Sequence, residues 1–293
     1  MKAITLSILC LLLTAWSAPA QNAEQKEEVV VLTTRLGELV IYPYRDTPLH
    51  RANFLKLARE HVYDSTTFHR VITGFMVQGG DINSKDKDPN NDGQGDMGYT
   101  LPAEFLRKYV HKRGAVAGAR QGDNVNPEKR SSGCQFYIVQ GTKFADNDLD
   151  RMELQVEQME LQDFLVNEFM RRPEQQWIRT TNWAEVQKQY PDTIHKLNQK
   201  LGIMAHNEFL ERSTPFKYTP EQRKFYREQG GAPHLDLGYT VFGEVIAGMD
   251  VVDKISAVPK GPADRPTENI YMTAKVVEMT PAELKEKYGF MIP

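Results

Sequence analysis

The sequence predicts a mainly β domain interrupted by a long helical excursion, and three observations carry that prediction. Residues 29–141 and the stretch after residue 231 hold short apolar runs separated by Gly, Asn, Asp and Pro, the punctuation of strands and turns. From Leu149 to about Gln229 the chain is instead charged, long-chained and poor in glycine. There Leu149, Met152, Val156 and Met159 keep helical spacing, as do Ile194, Leu197, Leu201 and Met204. Removing residues 142–230 leaves about 162 residues between Val29 and Met279, a comfortable size for one domain.

The elements follow in order. Lys2, the apolar run over residues 4–13 and the small residues Ala18-Pro19-Ala20 have the layout of a secretory signal peptide cleaved after Ala20. A run of about a dozen residues is too short for a span of roughly 20, and Cys10 lies inside the run rather than at a lipoprotein cleavage point. The expectation is an exported protein, periplasmic or secreted, with no membrane anchor after cleavage. Residues 29–33 and 39–42 read as a hairpin around Arg35-Leu36-Gly37-Glu38. Thr47-Pro48 opens a helix, with Thr47 as its cap and Ala52, Leu55 and Ala58 on its apolar face beside Phe54 and Leu57. Residues 135–140 read as a strand, and Thr219-Pro220-Glu221-Gln222 as a capping box that starts a further helix. Residues 240–246 and 270–278 return to strands, and residues 280–293 form a C-terminal tail.

The net charge of −3 is nearly balanced, which argues against a nucleic-acid partner, and no apolar run beyond the leader suggests a membrane. After cleavage only Cys134 remains, so no internal disulfide can form, and a lone cysteine in an apolar strand reads as a small buried hydrophobe.

The most informative segment is Phe68-His69-Arg70-Val71-Ile72-Thr73-Gly74-Phe75-Met76-Val77-Gln78-Gly79-Gly80-Asp81. Two strands joined at Thr73-Gly74 would set Phe68, Arg70 and Ile72 on one face, and Met76 and Gln78 on one face. By itself this is compatible with two ordinary strands carrying a surface Arg and Gln. The segment resembles the signature of the cyclophilin family at nearly every position. Further resemblances lie at residues 30–41, at Asn53-Phe54, at Pro102-Ala103-Glu104-Phe105, at Ala117-Gly118-Ala119-Arg120, at residues 132–138 and at residues 241–245. Together they cover nearly all of residues 29–141 and 231–279; the helical insertion, residues 142–230, has no counterpart in the small single-domain members.

The resemblance implies a closed antiparallel eight-stranded barrel with two covering helices, and peptidyl-prolyl cis/trans isomerase activity on proline-containing peptides and on unfolded or folding proteins. It places Arg70 at the catalytic arginine. It places Phe75, Met76, Gln78, Ala119, Arg120, Gln135, Tyr137, His234, Leu235 and Tyr239 in the proline-binding pocket. Many relatives have Asn at Arg120, Phe at Tyr137, Trp at His234, His at Tyr239 and Ser at Cys134, and a simpler Asp-Gly turn in place of Asp236-Leu237-Gly238. Rotation about an X-Pro bond makes and breaks no covalent bond, so no cofactor, metal or nucleophile is expected. The other reading the sequence leaves open is a proline-recognising chaperone or binding module with weak catalysis.

Remaining signals are weaker. Asp88-Pro89-Asn90-Asn91-Asp92-Gly93 resembles the start of a calcium loop, but Tyr99 stands where a bidentate Glu belongs, so a surface turn is expected. The seven histidines show no metal spacing, and Asp146, Asp148 and Asp150 suit a helix start. Trp177 and Trp183 read as core aromatics of the insertion. Its junctions flank stretches assigned to the pocket, so the insertion is expected to begin and end at the groove's rim.

Overall fold

The computed structural model describes residues 26–293 apart from Lys87; the leader sequence lies outside the described residues. Strands β1 (Glu27–Thr34) and β2 (Gly37–Pro43) form the expected hairpin, followed by helix α1 (Pro48–Arg59). Then come β3 (Phe68–Ile72), β4 (Met76–Gly79), the short β5 (Thr100–Leu101), β6 (Ala115–Gly118), the short β7 (Ser131–Ser132) and β8 (Phe136–Val139). Helices α2 (Asp146–Asn167), α3 (Gln176–Thr180), α4 (Trp183–Gln189), α5 (Pro191–Arg212) and α6 (Pro220–Glu228) fill the stretch read as an insertion. Strand β9 (Val241–Ala247), helix α7 (Met249–Ser256), β10 (Met272–Met279) and helix α8 (Pro281–Tyr288) complete the chain. The tail is therefore partly helical: Thr280 and Glu283 form a capping box, and Leu284 is buried.

Eight strands make one curled antiparallel sheet in the order β10-β1-β2-β9-β6-β8-β4-β3. The ladder does not close into the expected barrel. Its edge strands β3 and β10 are joined outside their ladders by one isolated bridge, Thr67–Tyr271, with Phe68 N donating to Ile270 O at 3.1 Å and Met272 N to Thr66 O at 2.9 Å. Side chains alternate between two packed faces, as strand periodicity requires. Leu39, Ile41, Val77, Val116, Phe136 and Ile138 enter one core, where Phe54 and Leu57 of α1 and Val251, Val252 and Ile255 of α7 cover them. Val40, Tyr42, Met76, Ala115, Ala117, Tyr137 and Val139 enter the other.

Helix α1 differs from its sequence reading in two details. Ala52 is exposed, and His50 is buried instead. Thr47 turns its hydroxyl to Tyr44 O, and the cap comes from Glu104, whose carboxylate accepts from Leu49 N at 3.0 Å and His50 N at 2.9 Å. The same carboxylate meets His50 Nδ1 at 2.6 Å, while His50 Nε2 lies 2.9 Å from Ser131 Oγ. An anion at a helix N-terminus also meets the positive end of the helix dipole.

The insertion is closed at its neck by backbone. Gly231 N donates to Thr142 O at 2.9 Å and Thr142 N to Gly231 O at 3.2 Å. The two chains approach so closely that a Cβ on Gly141 would lie 2.4 Å from Gly231 N, so a side chain there would force the neck apart. Beyond the neck are two cores. Leu149, Val156, Phe216, Tyr218 and Tyr226 pack with Val110 and Leu237 of the β domain, which fastens the near half of the insertion to its host. The far half holds Phe169, Leu201 and Ala205 among residues of its own helices. Trp177 is not a core residue: it is 43% exposed, with its ring 6.0 Å from that of Trp183.

Glu104→Ala should lower the unfolding free energy by about 1–2 kcal/mol, the usual loss for a helix cap. Urea denaturation checks this, and an unchanged midpoint would show that α1 needs no external cap.

Candidate active site

Strand register brings the central residues together. Arg70 pairs with Gln78 between β3 and β4, Gln78 with Tyr137 between β4 and β8, and Tyr137 with Ala117 between β8 and β6. Directly opposed residues share a face of the sheet, so Arg70, Gln78 and Tyr137 form one row. Above it lies a cavity of about 330 Å³ lined by Arg70, Phe75, Met76, Gln78, Ala119, Arg120, Tyr137, Leu235 and Tyr239. Nine of the eleven residues assigned from the sequence thus meet at one place. The other two adjoin it: Gln135 hydrogen-bonds Gln78, and His234 lies with its ring 5.2 Å from that of Phe75.

The polar side of the row is oriented by elimination. Gln135 Nε2 donates to the carbonyls of Gly93 at 3.1 Å and Gly95 at 2.9 Å, which can only accept. That turns Gln135 Oε1 toward Gln78 Nε2, at 3.1 Å, and leaves Gln78 Oε1 facing Arg70 Nη1 at 3.5 Å. Gly95 must be glycine for this loop to approach, since its Cβ would fall 2.0 Å from Asp81 Oδ1. Arg70 itself is exposed and forms no ion pair among the described residues.

Arg120 is held differently. Its Nε donates to Gly238 O at 2.7 Å and its Nη1 to Gln121 O at 2.9 Å and Asp123 Oδ1 at 2.6 Å, with the guanidinium 4.3 Å from the Tyr239 ring centre. It builds a wall and supports Tyr239. Helix α2 abuts this wall: Lys129 pairs with Asp163, and Met159 Sδ lies 3.8 Å from where a Cβ on Gly238 would stand.

A buried network that the sequence reading missed holds the floor. Tyr137 carries a hydroxyl where many relatives have a bare ring, and it meets His111 Nε2 at 2.9 Å. His111 Nδ1 and backbone N lie 2.8 and 2.7 Å from Asp236 Oδ1. Asp236 Oδ2 accepts from Tyr218 at 2.7 Å and Tyr226 at 2.6 Å, both supplied by the insertion. An ionised carboxylate only accepts, so Nδ1 carries a proton; in the neutral imidazole Nε2 then accepts from Tyr137. Burial, reinforced by the Asp236 charge, pushes the Tyr218 and Tyr226 phenols well above their ordinary values, and burial does the same for Tyr137, so all three stay protonated. No local pattern marked it: Tyr218 and Tyr226 precede Asp236 by 18 and 10 residues, and their pairing is tertiary.

Other groups also have shifted titration. Burial lowers His50 and His69, the latter against the opposing pull of Asp81 and Asp92, and neither ring nitrogen of His69 has a hydrogen-bond partner among the described residues. Burial pushes the Cys134 thiol up to about 11, which leaves it an inert apolar group. In the acidic loop, Asp88 accepts from Asn90 and Asp86 from Asn91, which stitches the turn itself, while Asp92 Oδ2 accepts from Arg265 Nε at 2.5 Å on a separate loop.

Residues 29–199 and, overlapping them, 161–277 match the family described as Cyclophilin type peptidyl-prolyl cis-trans isomerase/CLD. The chain belongs to this family of isomerases. A Streptococcus pyogenes protein, provisionally named a bifunctional phosphatase/peptidyl-prolyl cis-trans isomerase, is 28% identical over 249 residues, or 82% of this chain. The match spans only 37% of that protein's length. A Staphylococcus aureus protein, provisionally named a peptidyl-prolyl cis-trans isomerase, is 26% identical over 259 residues, covering 88% of this chain and 95% of its own. A crystal structure of a Cryptosporidium parvum cyclophilin type isomerase matches 87% of this chain and 98% of its own, at 17% identity and a TM-score of 0.49.

Tyr226→Phe should lower stability by about 1–3 kcal/mol, since it strips one donor from a buried carboxylate. Chemical denaturation measures it, and a loss below a few tenths would mean that water replaces the phenol. The histidines give a pH dependence. Their folded values lie below the unfolded value of about 6.5. As the pH falls through about 6.5 the unfolded chain takes up protons that the folded protein refuses, and stability declines until the folded values are passed. The melting temperature should therefore drop between about pH 7.5 and 5, less steeply in His69→Gln; equal slopes would remove His69 from this account.

Proposed function

We propose that this protein accelerates cis/trans rotation of X-Pro bonds in exported, unfolded or folding proteins, with Arg70 as the catalytic residue. The observation that carries this is the juxtaposition of an exposed guanidinium, without an ion-pair partner among the described residues, with a 330 Å³ apolar-floored cavity in one cross-strand row. The export component rests on the leader-like residues 1–20. In the same reading the sheet is a closed barrel whose seam is the Thr67–Tyr271 bridge.

The barrier to rotation, about 18–20 kcal/mol, comes from amide resonance. A rate gain of about 10⁵ needs roughly 7 kcal/mol of selective stabilisation. At the twisted transition state the proline nitrogen regains its lone pair and can accept a hydrogen bond; the planar ground-state nitrogen cannot. Arg70 can donate that bond, and so favours the transition state over both ground states. Phe75, Met76, Tyr137 and Leu235 would grip the pyrrolidine ring. Gln78 would hold Arg70 on one side and the peptide on the other, while the backbone at Ala119 and Arg120 holds the flanking chain.

Arg70→Ala should cut kcat/KM on proline peptides by about 10²–10³ with little loss of stability, because the side chain is exposed. Arg70→Lys should recover only part, since a point charge replaces a planar fork, and Gln78→Ala should be milder than Arg70→Ala. Exchange spectroscopy without a coupling protease is the measurement. Near-full rates for Arg70→Ala on several X-Pro peptides would refute the mechanism.

A further inference from the structure

A second cavity opens on the other side of Arg70 and Gln78, which form a wall shared with the smaller pocket. It encloses about 890 Å³, and its remaining walls come from residues 89–93 and 261–267 together with the buried ring of His69. Pro89, Pro262 and Pro266 stiffen those walls. Arg265 ties the two loops together through Asp92, and Gly261 N closes the turn on Arg265 O at 2.8 Å.

The turn has an unusual backbone. Ala263 and Asp264 are consecutive residues at φ +55° and +58°, a conformation that residues with side chains seldom adopt. It places Asp264, exposed, in the lining of the cavity. The neighbouring cations are committed elsewhere. Lys260 Nζ donates to Thr73 Oγ1 and to the carbonyls of Ser256 and Val258, and Arg265 serves Asp92. Asp264 has no ion-pair partner among the described residues. With Arg265 and Asp92 neutralising each other, the cavity keeps two charges with no ion-pair partner among the described residues, Arg70 in the shared wall and Asp264 in the turn.

A proline seated in the smaller pocket brings its flanking chain against Arg70 and Gln78, and the larger cavity lies directly beyond them. We propose that this cavity is a subsite for residues flanking the proline, in which Asp264 selects a Lys or Arg side chain. The inference deepens the isomerase reading and rests on it.

The test uses the full chain and a set of proline peptides that differ only in carrying Lys, Ala or Glu at the two positions on either side of the proline. At one of those positions the Lys peptide should show kcat/KM about two- to fivefold above Ala, with Glu below Ala, the size of a solvent-exposed ion pair. The preference should fade as ionic strength rises. Asp264→Asn should abolish it while leaving the Ala peptide unaffected; Asn suits the test because it tolerates positive φ. Acceleration of the Ala peptide without any Lys preference, or a preference that survives in Asp264→Asn, overturns the subsite and leaves the isomerase reading standing. Failure to accelerate even the Ala peptide overturns the isomerase reading, and the subsite falls with it.

Discussion

The buried carboxylate of Asp236 is the interaction on which the rest of the arrangement depends. One oxygen receives the backbone and ring of His111, and the other receives two phenols from the insertion. A buried anion is tolerated only when its lone pairs are satisfied, so the loop at His111, the turn at residues 236–238 and the near half of the insertion must assemble together. Through His111 the same carboxylate fixes the hydroxyl of Tyr137, the aromatic floor of the pocket. The helices beyond the neck are thus coupled to the pocket by four hydrogen-bonding groups rather than by proximity alone.

The polar wall opposite is determined by a second chain of necessity. Carbonyls at Gly93 and Gly95 orient Gln135, Gln135 orients Gln78, and Gln78 presents an acceptor to Arg70. Each amide has one orientation that satisfies both neighbours, so the guanidinium is approached from one side by a defined acceptor and left open on the other. Arg120 has the opposite fate. Three oxygen partners and the face of Tyr239 occupy it, which explains how a long cation can stand where many relatives have a short amide and still leave the cavity open.

Local chemistry was legible in the sequence. Period-two alternation paired Arg70 with Ile72 and Met76 with Gln78, but the register irregularity between Phe68 and Arg70 turns Phe68 into the opposite core, away from the face expected for it; the Thr219–Gln222 capping box is present as read. What escaped was set by contacts remote in sequence. His111 and Asp236 lie 125 residues apart, and Glu104 caps a helix 55 residues before it; no periodicity reports such pairs. Trp177 misled because aromatic size suggests burial, whereas the far half of the insertion has too little host surface to cover it. That the ladder stops at a single bridge between β3 and β10 escaped because strand pattern specifies faces and leaves edge closure undetermined.

The position of β9 has a consequence for assembly during synthesis. In the ladder order it joins the group β10-β1-β2 to the group β6-β8-β4-β3, which otherwise meet only at the Thr67–Tyr271 bridge among the described residues, yet in the chain it follows the entire insertion. A nascent chain can form the β1–β2 hairpin and pair β3, β4, β6 and β8, but the two halves stay apart until residues 241–247 emerge. The whole insertion, residues 142–230, must be made first, and bringing its ends together carries a loop entropy of about 4 kcal/mol, growing only logarithmically with length. The backbone stitch at Thr142–Gly231 offsets part of that by setting the ends side by side. The insertion thereby acts as a timer in the order of events, holding the keystone strand back until its own helices exist to receive Asp236.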